Sequence, residues 1–344
     1  MVSRERAGME LDEYLCLLFP EWNKGFVRRQ IRAGQVLVDG EPTHPSRRLK
    51  SDQVLILDID PDEVPKPPVA PAVELEILEE NEHWLVVAKP AGLAVEPERW
   101  ARDEASLSGA LLRVAVERAD ESDREAEGVE HRLRLAHRID KETSGALLVA
   151  KDLETERALR TAFEEGRVEK QYLALVEGEY PLADGESEII DAPIGPDARR
   201  SGRMVIVRGG DEDRPRKKKG AASGKPSRTR VAVERRFRGY TLLACSPLTG
   251  RTHQIRVHLA HVGFPLAVDK LYGRRDELLL SQLKPGYRLK PGKTERPLID
   301  RLTLHAHRLG VPDLDGGAGT TEVVAPVPKD LTRALKQLER HRSL

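Results

Sequence analysis

The stretch LAHRIDKETSGALLVAKD, residues 135 to 152, decides how this chain is read. Within five positions it places His137, Arg138, Asp140 and Lys141, follows them with Thr143, Ser144 and Gly145, and then enters the apolar run GALLVAKD. Such a run, closed by charge, predicts a buried strand. A loop crowded with ionisable side chains directly before a buried strand is where a rigid scaffold displays a catalytic group. On these residues alone, a solvated turn capped by Asp140 accounts for the segment equally well.

Working outward, WLVVAK (84–89), YLALVEG (172–178), VAVERRF (231–237) and TLLACSP (241–247) predict further strands. SLSGALLRVAVERA (106–119), LETERALRTAFEEG (153–166) and THQIRVHLAHVG (252–263) predict helices. Strands with helices between some of them make an α+β domain over 73–328 around a mixed, mainly antiparallel sheet. No Gly-x-Gly-x-x-Gly follows a first strand, so a doubly wound fold fits poorly. Upstream, ELDEYLCLLF and KGFVRRQIRAG predict two short helices, and VLVDG (36–40) a strand entering an Asp-Gly turn with VLIL (54–57) as its partner. Residues 9–58 thus read as a small α/β domain. The stretch 60–71 carries five prolines in twelve positions, which predicts a semi-rigid linker over 59–72. Residues 120–130 and 209–230 are polar, charged and poor in apolar side chains, and are expected to be exposed loops.

The 344 residues have zero net charge, but its distribution is uneven. Residues 24–50 carry seven Lys or Arg against two acids, and 212–238 eleven against three, whereas 73–82 hold five Glu and no base. Local basic patches of this kind suit a nucleic-acid partner even where the total is neutral. Cys16 and Cys245 provide neither a disulfide framework nor a multi-cysteine metal site. The first residues lack the apolar core of a secretory signal, and no run of 18 apolar residues occurs. A monomer in the reducing cytoplasm, without a membrane partner, is expected.

A second cluster occupies SPLTGRTHQIRVHLAHVGFPLAVDKLYG, residues 246–273. His253 and His258 lack the i,i+4 spacing of a zinc-binding helix, and no Glu follows His253, so no catalytic metal is expected. Arg251, just outside the predicted helix, suits a buried carboxylate or a phosphate as a partner, or simply the surface. Tyr172 opens its strand, where an aromatic ring half in the core is the common fate. Ser144 and Ser246 sit in no Gly-x-Ser-x-Gly elbow and no lysine lies in a phosphate loop, which argues against hydrolase and nucleotide-enzyme readings.

HRIDKETSGALLVAK, with GRTHQIRVHLAHVG and the YG at 272 and 273, strongly resembles the RluA-type RNA pseudouridine synthases, which isomerise uridine in RNA. VVAKPAGLAVEP (86–97), EKQYLALVEG (169–178) and LTLHAHRL (302–309) extend the likeness over roughly residues 75–310. Residues 9–57 resemble the small RNA-binding domain named after ribosomal small-subunit protein four, although Glu10-Leu11-Asp12 and NKGFVRR depart from its usual pattern.

The resemblance implies a cofactor-free isomerase acting on structured RNA, with large-subunit ribosomal RNA the favoured substrate. It makes Asp140 the catalytic aspartate, with isoleucine for leucine before it. Tyr172 becomes the tyrosine that stacks on the base and takes the proton from carbon five. Arg251 becomes the arginine that pairs with the carboxylate, and Arg138 the one that helps extrude the base. Lys24, Arg28, Arg29 and Arg32, with His253 and Arg256, are the expected RNA contacts. Glu96 stands where the family commonly has histidine. The alternative is a non-catalytic RNA-binding or ribosome-assembly protein on the same scaffold.

Overall fold

Residues 144–150 form a strand buried along its whole length, and a ten-stranded sheet is assembled around it. The computed structural model describes residues 2, 8–19, 22, 24–59, 73–96, 106–121, 133–207, 224–289, 292–314, 317 and 319–344. The chain divides into two compact units, Met1–Pro71 with Trp100–Glu104 and Ala115–Arg132, and Ala72–Arg99 with Ala105–Val114 and Leu133–Leu344.

In the first unit, helices α1 (Leu11–Leu18) and α2 (Lys24–Arg32) precede strands β1 (Val36–Val38), β2 (Glu41–Pro42) and β3 (Leu55–Leu57), paired in the order β2-β1-β3. Leu11 and Leu15 meet Phe26, Val27 and Ile31 at helical spacing, and close over Val36 and Val38 in one core. Asp39 and Gly40 both have positive φ, the conformation a two-residue hairpin turn requires, so the Asp-Gly signal is realised between β1 and β2.

The second unit opens with β4 (Glu76–Glu80) and β5 (Trp84–Lys89), followed by α3 (Leu107–Glu121), of which the residues up to 114 belong to this unit, then β6 (Arg134–Leu135) and β7 (Ser144–Ala150). Next come α4 (Leu153–Glu164), β8 (Glu169–Glu177), β9 (Ser187–Asp191), β10 (Ile194–Pro196) and β11 (Met204–Ile206). The long hairpin of β12 (Arg228–Phe237) and β13 (Tyr240–Pro247) leads to α5 (Gln254–His261) and α6 (Leu280–Leu283). The chain finishes with β14 (Leu304–Pro312), β15 (Thr320–Val324) and α7 (Lys329–Arg342).

The sheet runs β4-β5-β7-β14-β8-β13-β12-β9, with β15 also on β14 and β6 also on β7. Among the strands of the described residues only β7 and β14 pair in parallel, so the mixed, mainly antiparallel expectation holds. That pairing requires Gly145: its φ is +118°, and a Cβ there would collide with the backbone of Ala306. Asp152 ends the β7 segment and caps α4, its carboxylate accepting the Thr155 amide at 2.7 Å.

Several expectations change. The second unit does not end at 328: α7 lays Leu331, Ala334, Leu335 and Leu338 against Leu173, Leu175, Tyr240 and Leu242 in one core. The predicted 209–230 loop is ordered at its end, where Lys225 exchanges backbone hydrogen bonds with Ile194 and Arg228–Arg230 already belong to β12. Residues 209–223 and the linker residues 60–72 lie outside the described residues, as do 122–130 of the predicted acidic loop, whereas 120 and 121 complete α3.

Candidate active site

Asp140 lies on the loop leading into β7, and the fold holds that loop from behind. Ile139, its neighbour, is buried with Leu85, Val87, Leu147 and Ala306. The Lys141 carbonyl accepts from the Gly92 amide at 2.9 Å and from Lys89 Nζ at 2.8 Å. Lys89 is 1% exposed and donates to the Pro90 and Leu93 carbonyls as well, each at 2.8 Å. Its three acceptors match the three protons of an ammonium, while burial pushes its pKa down to about 7. Lys89 thereby ties the turn after β5 to the loop that carries Asp140.

The partner of Asp140 is Arg256, not Arg251. Arg256 Nη1 donates to Asp140 Oδ2 at 3.0 Å, while Arg251 Nε donates to the Pro226 carbonyl at 3.2 Å. The reason is where α5 begins. His253 has a left-handed backbone (φ 56°) and precedes the helix, so residue 256 sits in its first turn. Gln254 fixes this geometry from a buried position: its side-chain oxygen accepts from Thr249 Oγ1 and the Arg251 amide, and its nitrogen donates to the Arg228 carbonyl and Thr229 Oγ1.

Arg256 also makes a bidentate pair with Asp269, Nε to Oδ2 and Nη2 to Oδ1, both at 2.8 Å. The two carboxylates differ in setting: the Asp140 side chain is 23% exposed and the Asp269 side chain 1%. Burial opposes charge on Arg256, but the hydrogen bonds and charges of Asp269 and then Asp140 outweigh it and raise its pKa. Burial likewise pushes the Asp269 carboxyl up, and its bonds from Arg256, Leu271 and Tyr272 hold it below the usual range. The Tyr272 ring lies 5.0 Å from the Arg256 guanidinium, and its hydroxyl accepts the Met204 amide and meets His253 Nδ1 at 2.9 Å.

Asp140, Tyr172, Arg138, Arg251, His253 and Arg256 all line one cleft of about 1490 Å³ in the second unit. Tyr172 faces it from β8, opposite Cys245 and Ala306 in the sheet. Burial, and then the charge of Asp140, raise the Tyr172 pKa, so its hydroxyl is protonated at neutral pH. Arg138 is exposed and forms a 3.1 Å ion pair with Glu96. Burial lowers the pKa of His253, which leaves its ring neutral at neutral pH.

The four expected RNA contacts on α2 are not equivalent. Asp12, fully buried, pairs with Arg28 at 2.7 Å and Lys24 at 3.6 Å, and Lys24 also reaches Glu13 at 3.1 Å. Arg29 and Arg32 are exposed on the same helix without an ion pair among the described residues. Glu10, Asp12 and Glu13 form the one group with metal-binding spacing among the described residues, and the cations on Asp12 already offset its charge. No helix of the described residues is long and apolar enough to cross a membrane.

Lys89, Gln254 and Asp269 carry this geometry and were not singled out by sequence. Only the YG after Asp269 gave a signal, and it came from family likeness. Residues 83–261 match the family model described as RNA pseudouridylate synthase. The chain is 31% identical over 337 residues to ribosomal large subunit pseudouridine synthase D of Neisseria meningitidis serogroup B, covering 98% of this chain and 80% of that protein. It is 32% identical to ribosomal large subunit pseudouridine synthase C of Escherichia coli K12, covering 99% and 96%. Among solved structures, human RNA pseudouridylate synthase domain containing 1 superposes with a TM-score of 0.50 at 25% identity, covering 78% of this chain and 88% of that one. With its aspartate-bearing loop and paired arginine set in a cleft of the matched fold, the chain belongs to the RNA pseudouridylate synthase family.

Proposed function

We propose that this pseudouridine synthase isomerises uridines in structured large-subunit ribosomal RNA, with Asp140 as nucleophile. The observation that carries the reading is the asymmetry around Arg256: one carboxylate is buried with its acceptors used, and the other, Asp140, opens onto the cleft. The names of the bacterial relatives support ribosomal RNA as the substrate.

The chemistry follows from that placement. An Asp140 oxygen forms a bond to the ribose carbon as the glycosidic bond breaks, its electron pair leaving with the uracil. The uracil turns, its carbon five attacks the ribose carbon, and the carbon–oxygen bond returns its electrons to Asp140. The proton on carbon five is lost and nitrogen one gains one, so the overall change is an isomerisation. Tyr172 supplies a ring for stacking on the extruded base, and Arg138, exposed at the cleft, can occupy the vacancy in the RNA stack.

In this reading the first unit is the RNA-binding domain its sequence resembles, and the enzyme works as a cytoplasmic monomer. Mapping pseudouridine in ribosomal RNA from cells with and without the gene, then adding purified protein to the unmodified RNA, tests it. The expected result is loss of discrete large-subunit sites and their restoration by the protein. An unchanged ribosomal RNA map contradicts the proposed substrate.

A further inference from the structure

Asp269 lies in the segment VDKLYG, residues 268–273, and the geometry around it is closed. Its Oδ1 accepts from the Leu271 amide at 2.8 Å, the Tyr272 amide at 3.1 Å and Arg256 Nη2, while Oδ2 accepts from Arg256 Nε. The turn closes with the Gly273 amide on the Asp269 carbonyl at 2.8 Å. Position 273 admits only glycine, because a Cβ there would lie 2.7 Å from that carbonyl oxygen. The carboxylate is therefore aimed by the backbone before Arg256 meets it. Its occupied acceptors and its burial keep it out of reach of RNA, so any part it plays in the reaction passes through Arg256.

Arg256 is consequently fixed on two edges and one face: Nε and Nη2 by Asp269, Nη1 by Asp140, and the ring of Tyr272 over the plane. These interactions are unequal during a reaction in which Asp140 becomes an ester. The ester carries no charge, and a buried guanidinium paired only with Asp140 would then be left uncompensated, a costly state in a low-dielectric site. Asp269 stays ionised throughout, because its partners do not take part in bond making.

We infer that Asp269 is a positioning residue that keeps Arg256 neutralised and in place while the charge of Asp140 is consumed, and so stabilises the covalent stage rather than RNA binding. This inference rests on the proposed role of Asp140. Its signature is a loss in kcat with RNA affinity intact, since uniform binding energy is not what Asp269 supplies.

The test uses the full-length protein and an in vitro transcript of large-subunit ribosomal RNA, with kcat, KM and RNA Kd measured for wild type, Asp269→Asn and Asp269→Glu. Asp269→Asn keeps the size and one acceptor but loses the charge. A fall in kcat of at least about tenfold, with KM and Kd within about twofold, is expected. Asp269→Glu retains the charge and should recover part of the loss. Wild-type kcat in folded Asp269→Asn overturns the inference, as does a raised KM at unchanged kcat. Equal or greater loss in Asp269→Glu, or failure of both variants to fold, makes Asp269 a packing residue and also overturns it. Failure of the underlying reading looks different: wild type would leave the transcript unmodified, or Asp140→Asn would modify it.

Discussion

Arg256 and Asp140 lie 116 positions apart in sequence, yet Nη1 of one donates to Oδ2 of the other at 3.0 Å. The bond joins the start of α5 to the loop before β7. Neither side chain is free to drift, since Asp269 holds the arginine and the Lys89 clamp holds the loop.

Exchanging the two candidate arginines separates their roles. Arg256→Ala strips a buried carboxylate of its partner and should lower stability by about 3 kcal/mol or more. It should also abolish turnover. Arg251→Ala removes a bond to a backbone carbonyl and should shift stability by only about 1 kcal/mol. Denaturant unfolding of the two variants checks this, and equal losses would contradict the pairing described above.

A pH dependence follows from His305, which is 1% exposed. Its Nδ1 meets Ser144 Oγ at 3.0 Å, with Arg301 donating to the same hydroxyl, and its Nε2 faces the Ala325 carbonyl. Burial, reinforced by the charges of His307 and Arg301, lowers its pKa to about 4. The unfolded chain takes up this proton near pH 6.5, before the folded one does, so the contribution is complete above that pH and is lost as pH falls toward 4. The loss amounts to about 3 kcal/mol. Unfolding measured from pH 7 to pH 4 should therefore show a shallower decline in His305→Gln than in wild type, and parallel curves would refute this assignment.

On α2, Arg29 and Arg32 should touch phosphate while Arg28 chiefly neutralises Asp12. Replacing Arg29 and Arg32 together by Gln should weaken RNA binding and flatten the slope of log affinity against log salt by about 0.7 to 0.9 for each phosphate left without its arginine. Arg28→Gln should instead lower the Tm, because it leaves the buried Asp12 charge less compensated. A salt slope unchanged by the Arg29 and Arg32 changes would remove this helix from recognition.

The parts of the site that a local pattern encodes were legible in sequence. Asp140 stands in a charged loop before an apolar run, where the pattern puts it, whereas Tyr172 lies inside β8, which begins at Glu169 rather than at the tyrosine. The resemblance assigns Arg251 to the carboxylate and Arg256 to RNA, and the periodicity of 252–263 does not reveal the exchange, because the left-handed turn at His253 delays the start of α5 to 254. Histidine is enriched there among non-glycine residues, but only a few per cent of such residues adopt that conformation, too weak a signal to place the turn from sequence. Lys89 looks like the solvated end of a strand until the turn after β5 and the Asp140 loop cage it with carbonyls. Asp269 precedes Lys270 in an unremarkable acid–base pair, and only the tertiary approach of α5 brings Arg256 to it. The leucines of α7 do repeat at helical spacing, but they fall beyond the stretch that resembles the family, and their place in the core is set by the β8–β13 face they cover.

The central claim is that the Asp140 carboxylate performs the chemistry, and its most direct test is pseudouridine formation by Asp140→Asn on unmodified large-subunit ribosomal RNA, measured beside RNA affinity and Tm. The substitution keeps the shape of the side chain and an acceptor for Arg256 but removes the nucleophile. The account predicts no detectable pseudouridine, with RNA affinity close to that of wild type and a folded protein. Turnover by Asp140→Asn at a rate near that of wild type would contradict it.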